Sequence, residues 1–294
     1  MQRIGEQPLP DSFSRRLETA FSGHGQLCVG IDPHDQLLEE SGFTTNPQGL
    51  ADFCNSMLDA LTETVGIIKP QVSFFERYGS LGFKILEDLC KEASSRGFLV
   101  IADAKRGDIG TTMSAYADAW LAKDAPFVVD ALTVSPYLGV GALAPAVALA
   151  SERGKGLFVL CATSNSEGRE LQSAIGKQGS VASMVAQEVQ VLNGVSAQSK
   201  TRFGTVGLVV GATVKLDALG LSDVNLAEGI PNSAILAPGF GAQGAKLSDA
   251  KHIFGANADN VIYTISRSAL RDGIASVSAV VKADQLELAE ALSE

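Results

Sequence analysis

The stretch FLVIADAKRGDIGTT, residues 98–112, decides the fold. Phe98 to Ala102 are apolar or small, enough for a strand buried on both faces. The run then breaks into Asp103, Lys105 and Asp108, with Gly107 and Gly110 interleaved. Charge therefore gathers where a buried strand ends, which is where parallel α/β folds place their chemistry.

The same unit recurs along the chain. Apolar, β-branched runs fall at residues 26–32, 66–71, 98–105, 127–136, 156–165, 203–213, 234–241 and 260–266, which makes eight expected strands. Helix-length segments separate them. Near Ser180, the residues Val181, Met184, Val185, Val189 and Leu192 repeat at helical spacing and form one apolar face. A helix over roughly residues 11–21 precedes the first strand, and another over about 276–292 ends the chain. Eight β–α units without a linker or low-complexity break predict one (β/α)8 TIM barrel over residues 1–294, with its core at about 24–290. A doubly wound sheet would gather its polar groups at one switch point. Here Asp32, Lys69, Asp103 with Lys105, Ser135, Thr163 with Ser164, Gln243 and Arg267 are spread over nearly all the strand ends. A barrel brings those ends to one mouth.

Composition narrows the partners. Charged residues make up 19% of the chain and the net charge is −10, so the surface as a whole repels nucleic acid and anionic lipid. An anionic ligand must be met by a local positive site. Cys28, Cys54, Cys90 and Cys161 show no C-x-x-C pair and read as small buried hydrophobes, not as a disulfide framework or zinc site. No metal site is expected from them or from His24, His34 and His252. The start MQRIGEQPLPDSF lacks a signal-peptide core, and no apolar run approaches a membrane span. A cytoplasmic protein is expected.

The chemistry starts with Asp103 and Lys105. Residues two apart in a strand point the same way, about 6–7 Å apart at the Cα atoms. A lysine flanked by carboxylates stays protonated, which suits a proton donor or held cation and not a Schiff-base nucleophile. D-x-K-x-x-D alone is a weak pattern, expected by chance in roughly one chain of this length in twenty. Lys69 and Asp32 at two other strand ends add a second cation and a third carboxylate. A second theme is APGFGAQGA, residues 237–245, whose glycines offer backbone N–H groups to an anion. With Arg267 after the eighth strand, it occupies the usual phosphate site of this barrel.

Five blocks, in order, carry a resemblance: GIDPH (Gly30–His34), KPQVSFFERYG (Lys69–Gly79), DAKRGDIGTT (Asp103–Thr112), APGFGAQG (Ala237–Gly244) and TISR (Thr264–Arg267). Together they resemble the long bacterial branch of the orotidine 5′-phosphate decarboxylases, over about residues 10–290. The resemblance implies a (β/α)8 homodimer that converts orotidine 5′-phosphate to UMP and CO2 without metal or cofactor. It also implies roles for matching positions. Asp32 and Lys69 would contact the ribose hydroxyls, and Ser164 the pyrimidine ring. Asp103, Lys105 and Asp108, with Lys69, would form an alternating charged array, Asp108 arriving from the partner subunit. Thr112 would contact substrate, while Arg267, Gln243 and the loop glycines Gly239, Gly241 and Gly244 would hold the phosphate. Ser135 stands where asparagine is common in that branch, and Ser166 where proline is common.

Three rival activities share parts of this pattern. Sugar-phosphate decarboxylases and aldolases of the same superfamily need a divalent metal, a Schiff-base aldolase is trapped by borohydride, and a non-catalytic barrel binds nucleotide without turnover. Among the remaining residues, His34 reads as a solvated loop histidine, and Trp120 and Phe127 as packing residues. RELQSAIGKQGS, residues 169–180, reads as a loop beside the site.

Overall fold

Every expected strand forms. In a computed structural model, which describes residues 12–196, 201–222, 224 and 232–293, the strands are β1 (Leu27–Ile31), β2 (Ile67–Pro70), β3 (Leu99–Arg106) and β4 (Ala131–Val134). They continue with β5 (Gly156–Ala162), β6 (Val206–Val210), β7 (Ile235–Pro238) and β8 (Val261–Ile265). Each pairs in parallel with its neighbours in sequence, and β8 closes on β1. The result is a (β/α)8 barrel. Most strands stop short of the expected carboxyl ends because polar and glycine residues there leave the ladder to build the mouth.

Period-two alternation sorts the strand residues into two apolar layers. Leu27, Val29, Ile31, Ile68 and Val100 face outward into the main core beneath the helices. Cys28, Ile67, Leu99, Ile101, Ala131 and Ile262 face inward. Continuing each inward series places Asp32, Lys69, Asp103, Thr133 and Ser266 at the carboxyl ends of their strands.

The other end is sealed. The amino-terminal helix (Phe13–His24) is capped by Ser12, whose Oγ accepts the Arg15 N–H at 3.3 Å. Its Phe13, Leu17 and Ala20 pack into the inward layer at the strand starts, with Phe13 edge-on to Phe158 at 5.9 Å. Arg16 Nε binds Asp130 Oδ1 at 2.8 Å and ties the helix to the loop before β4. A sealed amino end leaves the carboxyl mouth as the opening for a ligand.

All four cysteines are free and buried, and burial pushes the thiols of Cys28, Cys90 and Cys161 up to about 12. Trp120 and Phe127 stack at 4.2 Å, in line with a packing role. Two readings need correction. The segment at 169–180 is not all loop: it holds a short helix (Arg169–Ser173) and a minute antiparallel pair, Ile175–Gly176 with Gly179–Ser180. Two-residue strands are too short to show a period. His34 is not simply solvated, since its Nδ1 accepts the Leu37 N–H at 3.2 Å and caps the helix Asp35–Glu40. Among the described residues no helix is long and apolar enough to cross a membrane.

Candidate active site

Asp103 is the hub of the mouth. Its Oδ2 accepts from Lys69 Nζ at 2.8 Å, and its Oδ1 accepts from Lys105 Nζ at 2.6 Å and from Thr133 Oγ1 at 2.9 Å. Lys69 and Asp103 are buried at 5% and 8% exposure, whereas the Lys105 side chain is 44% exposed and reaches the opening. Burial works against the charged carboxylate of Asp103. Lys69 and Lys105 more than offset it and hold that carboxyl well below the usual range. Burial likewise works against the Lys69 ammonium, but Asp103 and then Asp32 outweigh it and raise its pKa. Both buried groups stay charged.

Simple alternation does not place Lys105. The β3–β4 register runs Ile101 to Ala131 and Ala102 to Leu132, then jumps to Arg106 opposite Val134. This bulge puts Lys105 at φ 50°, a left-handed conformation that costs a non-glycine residue roughly 1–2 kcal/mol. Strain of this kind collects at functional sites. Arg106 anchors the far side of the bulge by pairing with Glu76, and its Nη1 donates to Ala104 O at 3.0 Å. Gly107 follows because a Cβ there would stand 2.5 Å from the carbonyl oxygen of Ser135.

The remaining strand ends supply polar groups around the array. Asp32 Oδ2 accepts from Ser266 Oγ at 2.6 Å, which joins the ends of β1 and β8. Its Oδ1 is buried without a partner, an arrangement suited to a ligand hydroxyl. Ser164, just past β5, donates to Gln243 Oε1 at 2.7 Å. In the loop after β7, Gly239, Gly241 and Gly244 have φ of 118°, 73° and 99°. At Gly241 a Cβ would also lie 2.4 Å from Ser268 Oγ. Arg267 is exposed, and its side chain makes no hydrogen bond or ion pair among the described residues. Thr112 is exposed in the first turn of the helix Gly110–Leu121.

Asp108 is not joined to the array within the chain. It accepts the Ile109 N–H at 2.8 Å, and nothing among the described residues bonds it to Lys105 or Asp103. Thr133, Gln71 and Ser266 are contacts that the sequence reading did not single out. Gln71 Oε1 lies 3.4 Å from Lys105 Nζ. The inward alternation of β2, β4 and β8 was the signal that could have found them. Among the described residues no three His, Cys, Asp or Glu side chains gather into a metal-binding group.

The sequence profile of the orotidine 5′-phosphate decarboxylase / HUMPS family matches residues 25–278. The orotidine 5′-phosphate decarboxylase of Streptomyces coelicolor is 47% identical over 264 residues, 90% of this chain and 91% of the relative. The chain belongs to the orotidine 5′-phosphate decarboxylase family. The family member from Corynebacterium glutamicum is 45% identical over 268 residues, 89% of this chain and 91% of that one. A Streptomyces avermitilis crystal structure, provisionally assigned to orotidine 5′-phosphate decarboxylase, superposes with a TM-score of 0.89 at 42% identity, covering 99% of this chain and 100% of that one. The Leishmania donovani OMP decarboxylase structure superposes with a TM-score of 0.76 at 27% identity, over 96% and 99% of the two chains. All five sequence blocks that resemble this family lie at the barrel mouth or on the loops around it.

Proposed function

We propose that this chain decarboxylates orotidine 5′-phosphate to UMP, with Lys105 as proton donor inside the Asp103–Lys69 array. The observation that carries this reading is the Lys105 ammonium, held 2.6 Å from a buried carboxylate at the open end of the barrel. In the reaction the bond from C6 of the pyrimidine to its carboxylate breaks. CO2 leaves and the electron pair stays on C6, in the plane of the ring. Lys105 Nζ stabilises that developing charge, transfers a proton to C6 and regains one from solvent. The interaction is stronger in the transition state than with bound substrate, as rate enhancement requires. One charge pair at 4 Å is worth on the order of 4 kcal/mol at an effective dielectric of 20, so Lys105 does not act alone. The Asp103 carboxylate also crowds the substrate's own carboxylate, and CO2 loss relieves that repulsion.

Substrate binding is assigned to the rim. The unpartnered Asp32 Oδ1 and Lys69 take ribose hydroxyls. Ser164 meets the pyrimidine, Gln243 and Arg267 hold the phosphate with the glycine loop, and Thr112 adds a further contact. Arg267→Ala is expected to lower kcat/KM for orotidine 5′-phosphate by roughly 10- to 150-fold, the value of a lost charged hydrogen bond. The loss should nearly vanish for orotidine, which lacks the phosphate. An equal loss on both substrates would show that Arg267 does not read the phosphate.

The active form in this reading is a homodimer in which Asp108 completes the partner's array. Two features support it. Asp108 is unattached to the array in its own chain, and the exposed Ile109, Tyr137 and Leu138 form apolar surface on the loops after β3 and β4. The test is the ultraviolet absorbance change of orotidine 5′-phosphate with chelator-treated protein, in which metal-free conversion to UMP is expected. Nucleotide binding without turnover would overturn the reading, and turnover only with added divalent metal would point to the metal-dependent relatives. Mixed Asp103→Ala and Asp108→Ala subunits should recover part of the activity. No recovery after verified subunit exchange would remove the shared site.

A further inference from the structure

A residue outside the charged array ties Lys105 to Asp103. Thr133 lies in β4 and is completely buried. Its Oγ1 accepts the main-chain N–H of Lys105 at 2.9 Å and donates to Asp103 Oδ1 at 2.9 Å. One hydroxyl has a donor and two acceptor lone pairs, so it serves both partners at once. Lys105 Nζ meets that same Asp103 Oδ1 at 2.6 Å. Main chain of Lys105, hydroxyl of Thr133, carboxylate of Asp103 and ammonium of Lys105 thus close a ring.

The ring sits on the β3–β4 bulge. Residues Asp103, Ala104 and Lys105 fall between the paired positions Ala102 and Arg106, while β4 has only Thr133 between Leu132 and Val134. With the ladder broken there, the Lys105 N–H is taken by the Thr133 side chain. The bond holds Lys105 at φ 50°, a conformation that persists only where its surroundings impose it.

We propose that Thr133 is a positioning residue whose hydroxyl latches the β3 bulge and so aims the Lys105 ammonium at the reacting carbon. The inference rests on the proposed role of Lys105. It concerns direction and not packing, because valine has nearly the shape of threonine and suits a buried strand equally well.

Thr133→Val removes donor and acceptor together. It should lower kcat by roughly 10- to 100-fold, the scale of a misplacement near 1 Å, with KM and UMP affinity changed by no more than about threefold, since Thr133 bonds none of the residues assigned to the ribose, the pyrimidine ring or the phosphate. Rates are expressed per UMP-binding site, so any unfolded fraction drops out. Thr133→Ala carries the same deletion should the added valine methyl prevent folding. Thr133→Ser keeps the hydroxyl and should recover most of kcat. A Thr133→Val enzyme with wild-type kcat per binding site would overturn the proposal, as would a Thr133→Ser enzyme as slow as Thr133→Val. If Lys105→Ala is inactive in the same assays, such a result condemns the latch and leaves the proton donor standing. If Lys105→Ala turns over normally, both readings fall.

Discussion

Lys105→Ala should lose at least about 10⁴-fold in turnover, because it removes a general acid and the transition-state cation together. The protein should remain folded and bind UMP. Lys105 is 44% exposed, its main-chain bond to Thr133 does not need the side chain, and Asp103 keeps its Lys69 and Thr133 partners. The backbone adds a second, independent expectation. At φ 50° alanine carries the same Cβ strain as lysine, whereas glycine does not. Lys105→Gly should therefore be more stable than Lys105→Ala by about 1 kcal/mol, and just as inactive. Denaturant titration of the two variants reads the strain without any substrate. Turnover within tenfold of wild type in either variant would exclude Lys105 as the proton donor, and a less stable glycine variant would deny the strain.

Lys69→Met is expected to act on stability as much as on rate. Lys69 and Asp103 are a buried pair at 2.8 Å, and breaking such a pair from one side costs roughly 3–5 kcal/mol because a charge is left uncompensated. The sign of the pH dependence follows from the two shifts. The Asp103 carboxyl is held below its usual range, so its contribution is complete above the unfolded carboxyl value near 3.9 and fades as pH falls through the lower folded value. The Lys69 ammonium is raised, so its contribution is complete below the unfolded value near 10.4 and fades as pH rises through the higher folded one. Between those limits the pair is fully charged. Without Lys69, Lys105 is the remaining cation on Asp103, whose folded pKa must rise. The acid midpoint of unfolding should move to higher pH, together with a loss of turnover as Asp103 protonates. An unchanged acid midpoint would mean that Lys69 is not what keeps Asp103 ionised.

Much of this site was legible because strands and barrels obey short-range rules. An apolar run that ends in Asp32, Lys69 or Asp103 marks a strand and its carboxyl end, and eight such units leave little choice of architecture. The glycines of residues 237–245 marked a tightly turning loop for a similar reason: positive φ is cheap only for glycine. Thr133 and Ser266 escaped notice because a threonine inside DALTVSP or a serine inside TISR is unremarkable until its strand has neighbours. Gln71 was hidden in a block read for its lysine. The small pair around residues 175–180 and the cap made by His34 were missed because each rests on one or two hydrogen bonds and no period.

The sequence by itself determined the eight strands, the helices between them, the family and the set of charged residues at the mouth. Those follow from alternation, helical spacing and motif order, all written along the chain. Only the tertiary structure decided how Lys105 is aimed. Strand alternation would have sufficed to put Lys105 and Asp103 on one face, yet the contact is made through a bulge, a left-handed lysine and a hydroxyl from the next strand. The physical reason is that register belongs to a pair of strands. No property of residues 98–112 taken alone specifies where β3 stops matching β4, or which side chain then accepts the orphaned N–H of Lys105.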